Sequence, residues 1–335
     1  MKSNPISMLR RSRILFAVLL IPVLLAWGTY GHEHINHAAV MALPSPLQTF
    51  FYNHIDFITT ESVVPDLRKY TLSDKAENPR HFIDLENFGT LDSLPLTMAA
   101  AKGKYDEKFL QQNGILPWFM MDMMDKLTKA FKDKKTSEIL FIAGDLGHYL
   151  GDAHMPLHTS VNYDGQQTNQ KGIHAFWESQ LPELFGDTYN FNVGEAKYIT
   201  NVQQEIWSIL ASSHALVDTL MNAEKAVHAD FPADRIYLKD AAGNVVKNKY
   251  NQQLHSAEYA KAFHDKLNGM VEKQMRKAIA ATANFWYTAW VNAGKPDLSD
   301  LDAPDLTARN AGALKQESDY YRQGKLFGVQ SEKEF

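Results

Sequence analysis

His148 and Asp152 stand four residues apart, and so do His174 and Glu178. On a helix that spacing puts an imidazole and a carboxylate on one face. The first pair lies in the run His148-Tyr149-Leu150-Gly151-Asp152-Ala153-His154-Met155-Pro156-Leu157-His158-Thr159-Ser160-Val161-Asn162, a pattern H-Y-x-G-D-x-x-x-P-x-H-x-x-x-N. Pro156 ends or turns the helix, and His158 follows on its exit. Imidazoles and carboxylates without a thiol form the ligand set of a hydrolytic zinc site. The chain has no cysteine, so any metal must be held by His, Asp, Glu or backbone.

The elements that must carry these residues read mainly as helices. Ile35–Leu43 has helical period and stops at Pro44. Trp118–Phe131 gathers Met, Leu and Phe on one side. Ser137–Gly151 places Ile139, Leu140, Ile142 and Ala143 behind a Ser137 cap. Val202–Leu220 and Tyr259–Trp290 are further long helical patterns. Thr159–Ile173 is polar and turn-rich, a loop joining the two His/carboxylate helices. Arg235–Tyr250 alternates around a turn at Gly243 and predicts a small β-hairpin. The expected class is all-α with that minor hairpin. No internal repeat or long low-complexity stretch interrupts it.

The chain has 335 residues and 45% hydrophobic content, enough for one large core. Lys2, Arg10, Arg11 and Arg13 precede an apolar run, Ile14–Ala26, that is short for a membrane span. Residues 1–26 therefore read as an export signal, cleaved between Ala26 and Trp27, with an uncleaved anchor as the alternative. Cleavage removes 4 of the 34 basic residues, leaving 30 against 39 acids and a net charge of −9. Such a surface does not favour non-specific polyanion binding. A cluster of zinc ions would reverse the field locally. The hydrolase domain is expected over residues 27–303 and a polar C-terminal tail over 304–335. Nothing in the sequence calls for an obligate protein partner.

Further candidate ligands are Trp27-Gly-Thr-Tyr-Gly-His32 at the presumed mature start, Pro65-Asp66, and His81-Phe82-Ile83-Asp84. Together with the two central pairs, these motifs resemble the family of zinc-dependent phospholipases C and single-strand zinc nucleases. The likeness runs from Trp27 to Glu178, and these short motifs in the right order make it specific. It implies three zinc ions. Asp66, His81, His148 and Asp152 would hold the first. The terminal amine and carbonyl of Trp27, with His32 and the bridging Asp152, would hold the second. His158, His174 and Glu178 would hold the third. It also implies a water activated by the metals, with Asp66 orienting it or accepting its proton. Asp84 and Asp145 are candidates to orient ligand imidazoles. His34, His37 and His154 fall outside the motif.

The two branches divide the remaining residues. The unbroken His148–Asn162 run and Glu178 resemble the phospholipase branch, while Trp-Gly-x-x-Gly-His resembles the nuclease branch. Tyr30, Leu67 and Asn78 occupy positions where choline-specific phospholipases carry an acid and two aromatics, which speaks against a choline head group. Phe82, Asp84 and Asn162 are candidate substrate contacts. The leading expectation is an exported, periplasmic or secreted phosphate-ester hydrolase of phospholipase C type. A single-strand nuclease or 3′-nucleotidase is the alternative on the same site, and a non-catalytic zinc-binding protein is a third. The substrate would be a phospholipid head group or single-stranded nucleic acid, and any contact with lipid would be interfacial.

Overall fold

A computed structural model of the chain describes residues 28–90, 93–248, 251–329 and 331. The helices that build the core are α1 (Gly28–Met41), α2 (Leu47–Asn53), α3 (Ile55–Glu61), α4 (Val64–Tyr70), α5 (Leu116–Lys132), α6 (Thr136–His154), α7 (Val202–His214), α8 (Val217–Asp230), α9 (Ala257–Lys266), α10 (Met270–Asn292) and α11 (Pro304–Arg322). The fold is all-α, as the helical periodicity implies. α6 is the central rod: α5, α10, α3 and α1 all pack on it, and α1 also packs on α10. Its length comes from an unbroken apolar stripe through Ile139, Leu140, Ala143, Leu146 and Leu150.

Glycines on one face of α6 decide how close its neighbours come. A Cβ on Gly147 would sit 1.9 Å from Asn36 Oδ1 on α1. A Cβ on Gly151 would sit 3.1 Å from His32 Nδ1. The Asn36 amide donates to Ile58 O (3.2 Å) on α3 and to Gly144 O (3.1 Å) on α6, so one buried side chain clamps three helices. The same approach seats His32 against α6, stacked on His148 with ring centroids 3.8 Å apart. Trp177, Trp286, Phe51 and Phe131 lie fully buried around this junction. Each large side chain so buried contributes roughly 1.5–3 kcal/mol of transfer free energy.

Several boundaries differ from the periodicity reading, for local reasons. Thr136, not Ser137, begins α6, and its N-cap position, Lys135, makes no side-chain cap bond. The Val202–Leu220 pattern splits at Ala215–Leu216 into α7 and α8. Tyr259–Trp290 splits where Asn268 (φ 51°) and Gly269 (φ 73°) turn left-handed, a conformation that stops a helix. The hairpin gains a third segment. Leu238 N donates to Leu254 O (2.8 Å), Leu254 N to Val246 O (3.0 Å) and Val246 N to Leu238 O (2.8 Å), closing a ring. From Pro304 the polar C-terminal segment forms α11. Glu317 on α11 is buried and meets the His37 ring and the Tyr52 hydroxyl (2.9 Å), which fastens the helix to α1 and α2. No helix among the described residues is long and apolar enough to cross a membrane.

Candidate metal centre and cleft

α4 brings Asp66, α6 brings His148 and Asp152, and a tight turn at Pro156–Thr159 brings His158. His174 stands on a short helical turn, and Glu178 on the wider π-turn that follows at Phe176–Gln180. Such turns recur at functional sites because they re-aim side chains. His81 and His158 come from segments that bond to each other directly. Ile83 N donates to His158 O at 2.9 Å, and His158 Nδ1 lies 2.8 Å from His81 O.

Asp152 is the hub. Its Oδ2 lies 3.0 Å from His81 Nδ1 and 3.2 Å from His148 Nε2, while its Oδ1 lies 3.3 Å from His158 Nδ1 and 3.7 Å from His32 Nε2. Asp66 Oδ1 is 3.6 Å from His81 Nδ1 and 4.0 Å from His148 Nε2. Beside them His158 Nε2 is 3.2 Å from His174 Nε2 and 3.3 Å from Glu178 Oε1, and His174 Nε2 is 2.7 Å from Glu178 Oε2. Three groups thus have ligand atoms within 4.8 Å of one another: His32/Asp66/His148, His81/His148/Asp152 and His158/His174/Glu178. Trp27, expected as the N-terminal ligand, lies outside the described residues. Gly28, the next residue, is pinned by a buried 2.9 Å bond from its N–H to Ser179 Oγ, next to Glu178.

The donor set fits a divalent cation. Asp152 Oδ1 and both Glu178 carboxylate oxygens are buried without a hydrogen bond. Ring nitrogens face each other across 3.0 Å (His81 Nδ1 and His148 Nε2) and 3.2 Å (His158 and His174 Nε2). Nitrogen ligands around a tetrahedral zinc stand roughly 3.3 Å apart. Burial holds His148 down to about 4 and lowers His32, His81 and His158, so these imidazoles are neutral and have lone pairs to give. Burial pushes Asp152 up, against the opposing hydrogen bond from His81 and the charge of Lys69. The backs of three rings are held by backbone: His148 Nδ1 by Ser62 O (2.8 Å), His158 Nδ1 by His81 O (2.8 Å) and His174 Nδ1 by Tyr163 O (2.9 Å).

Two orienting roles expected from sequence go elsewhere. Asp145 accepts from Arg68 Nη2 at 2.6 Å, and Asp84 faces a cleft. Asn162 braces the 159–173 loop, its Nδ2 donating to Thr168 Oγ1 (3.1 Å) and its Oδ1 accepting from Gln167 N (2.8 Å), and it is absent from the cleft wall. His37 and His154 are buried structural groups, the latter bonded at Nδ1 to Leu150 O (2.7 Å). His34 is likewise buried, its Nδ1 2.7 Å from Tyr30 O.

The centre opens into a cleft of about 430 Å³, walled by His81, His158 and His174, by Phe82, Tyr70 and Tyr163, and by Asp84, Asn78, Gln112 and Gln252. Phe82 is held there by a close backbone crossing. A Cβ on Gly114 (φ 86°) would fall 2.0 Å from Phe82 O, so only glycine fits. Lys69 also lines the cleft, with its ammonium 4.6 Å from the Tyr70 ring centroid. Burial acts to lower its pKa, but the Tyr70 hydroxyl and Asp66 outweigh it and keep the lysine charged. Sequence reasoning passed over Lys69, although it follows Asp66 by three residues on a helix and so shares its face. Burial, with Glu86 nearby, lifts the Asp84 carboxyl from 3.8 to about 7.

A helical bundle that buries carboxylates and neutral imidazoles around one hub, beside a cleft with a fixed cation, has the make-up of a metal-dependent phosphoric ester hydrolase. The S1/P1 nuclease family model matches residues 27–285, and the chain belongs to that family, a branch of the zinc phospholipase C and nuclease group. It is accordingly an enzyme that hydrolyses phosphoric esters. Among solved structures it is similar to the alpha toxin from Clostridium absonum (12% identity, TM-score 0.46, covering 84% of this chain and 68% of that one). It is also similar to the alpha-toxin of an avian strain of Clostridium perfringens (15% identity, TM-score 0.46, covering 81% and 65%). No curated protein sequence matches.

Proposed function

We propose that the protein is a zinc-dependent phosphodiesterase of single-stranded nucleic acid, exported and processed between Ala26 and Trp27. Asp66, His81, His148 and Asp152 would hold one zinc ion, and His158, His174 and Glu178 another. His32 and Asp152, with the amine and carbonyl of Trp27, would hold the third. Residues 27–303 would form the hydrolase domain, with α11 fastened on as a brace. Bound zinc supplies a water acidic enough to ionise near neutral pH and neutralises charge on the phosphate.

The chain's own residues supply the rest. Asp66 is buried behind the cleft wall, with its Oδ1 3.6 Å from His81 Nδ1, and its carboxylate would orient the attacking water and take its proton. Lys69, charged and within reach of the same space, draws in a phosphate oxygen. Phe82 offers a ring face for a base to stack on. Asp84, near half-protonated at neutral pH, can donate to or accept from the edge of that base.

The observation that carries the nucleic-acid reading is the Phe82–Asp84 wall, one aromatic face and one titrating carboxyl set beside ligand His81. The amides of Asn78, Gln112 and Gln252 add hydrogen-bonding groups to a lining that also holds Leu157, Tyr70 and Tyr163, a mixture that suits the polar edge and apolar face of a nucleotide. The test is to assay zinc-loaded, processed protein on single-stranded DNA and on mixed phospholipid vesicles. Cleavage of the DNA with little lipid turnover is expected. Turnover of lipid alone would give the site to phospholipase chemistry, and activity on neither, with zinc bound, would favour a binding protein.

A further inference from the structure

We propose that Glu77 is the positioning residue for His81, turning that ring so that its Nδ1 serves the metal centre. The inference rests on the metal-centre reading above. Among His81, His148, His158 and His174, three lean on backbone carbonyls through Nδ1 and aim Nε2 inward. His81 is reversed. Its Nδ1 faces Asp152, Asp66 and His148, and its Nε2 faces Glu77 Oε1 at 3.5 Å. A backbone carbonyl is fixed by its helix or turn, but a side chain needs fixing of its own.

Glu77 receives that fixing from three groups. It is fully buried, one turn before His81. Arg68 Nε donates to its Oε2 at 3.0 Å and Arg80 Nη1 to the same oxygen at 2.9 Å, while the Tyr149 hydroxyl donates to Oε1. The donors are themselves braced. Arg68 reaches on to Asp145, and the Arg80 guanidinium lies 4.5 Å from the Phe119 ring centroid, which meets Tyr149 edge-on. Two arginines on one oxygen keep Glu77 an anion, and they leave Oε1 to Tyr149 and His81. A cation on Nδ1 requires the ring proton on Nε2, and a buried anion there favours that tautomer and makes Nδ1 more basic. A structural salt-bridge hub would not need Oε1 turned to the ring.

The test compares the processed wild-type chain with Glu77→Gln, which keeps the shape and loses the charge, and Glu77→Asp, which keeps the charge near the arginines but draws it back from His81. Zinc affinity is read by chelator competition on folded protein. One zinc ion should bind about 10–100-fold more weakly in both variants, with the other ions unchanged. In zinc-loaded wild type, nitrogen-15 NMR of the histidine rings should show a slowly exchanging proton on His81 Nε2, a reading that does not depend on the variants folding. Variants that bind every ion within twofold of wild type, or a wild-type His81 without that protected proton, would overturn the role. A wild type that takes up no zinc would instead remove the metal centre on which the proposal stands.

Discussion

His81 Nδ1 and His148 Nε2 point at each other across 3.0 Å, both side chains fully buried. With the ring protons on His148 Nδ1, toward Ser62 O, and on His81 Nε2, toward Glu77, two lone pairs meet at that distance and repel, and burial disfavours a second proton on either ring. The arrangement is costly unless a cation stands between them. Stripping the metals with a chelator should therefore lower the melting temperature, and zinc should restore it. An ion present at a hundred times its Kd adds about 2.7 kcal/mol per site. Scanning calorimetry with and without chelator checks this, and coincident melting curves would detach the pocket from metal binding.

Asp66 is fully buried, with Oδ1 3.6 Å from His81 Nδ1. Asp66→Asn keeps one oxygen for the metal and loses the basic one. Turnover should fall by about 10²–10⁴, the usual worth of a general base, while most of the metal stays bound. Steady-state kinetics on metal-quantified protein decide it, and unaltered kcat would remove Asp66 from the proton transfer.

The Asp84 carboxyl is raised from 3.8 to about 7, chiefly by burial and then by Glu86. A carboxyl raised on folding favours the folded chain when protonated. Its contribution is full below about pH 4 and is lost as the pH rises through about 7. Asp84→Asn stays neutral throughout. The variant should match wild type in melting temperature at pH 4 and exceed it at pH 8, and a pH-independent difference would contradict the shifted carboxyl. KM for oligonucleotides should also vary with pH through 7 in wild type and flatten in the variant.

Gly147→Ala should disturb both fold and site, because its methyl would overlap Asn36 Oδ1 at 1.9 Å. Asn36 would have to give up its bonds to Ile58 O or Gly144 O, and α1 would move away from α6 with His32 on it. A loss of about 1–3 kcal/mol is expected from overpacking alone. Chemical denaturation measures it, and wild-type stability with full zinc content would show that α1 is not held by this crossing.

Residues left before Trp27 would turn its amine into an amide, a poor ligand. A chain with the signal uncleaved, or with a short N-terminal extension, should bind one zinc ion fewer than the processed chain. Native mass spectrometry reads the difference, and an extended chain with the full complement would move the ligands of the ion assigned to His32 and Asp152 away from the terminus.

The two central candidate pairs were legible in the sequence because metal chemistry restricts the residue types, whereas His32, Asp66 and His81 followed from the family resemblance. His148/Asp152 and His174/Glu178 show their shared faces at four-residue spacing, and the structure brings both pairs inward with His32, Asp66, His81 and His158. Glu77 and Lys69 were not legible. A carboxylate behind a ligand is one of many acids until the chain closes around it, and a lysine lining a cleft looks like a surface lysine. Helix ends were missed where a single backbone angle decides, as at Asn268 and Gly269. α11 reads as a tail because its sequence is polar and only Glu317 and Tyr321 of its residues are buried. Glu317 docks through His37 and Tyr52, more than 260 residues away, and no periodicity marks such a pair.

The most direct test is elemental analysis of the processed, folded chain, joined to native mass spectrometry. Three zinc ions per chain should be found, with the count falling when His148 or Glu178 is replaced by alanine. A folded, hydrolytically active chain that carries no metal, or one whose metal content ignores both substitutions, would contradict the assignment of this pocket.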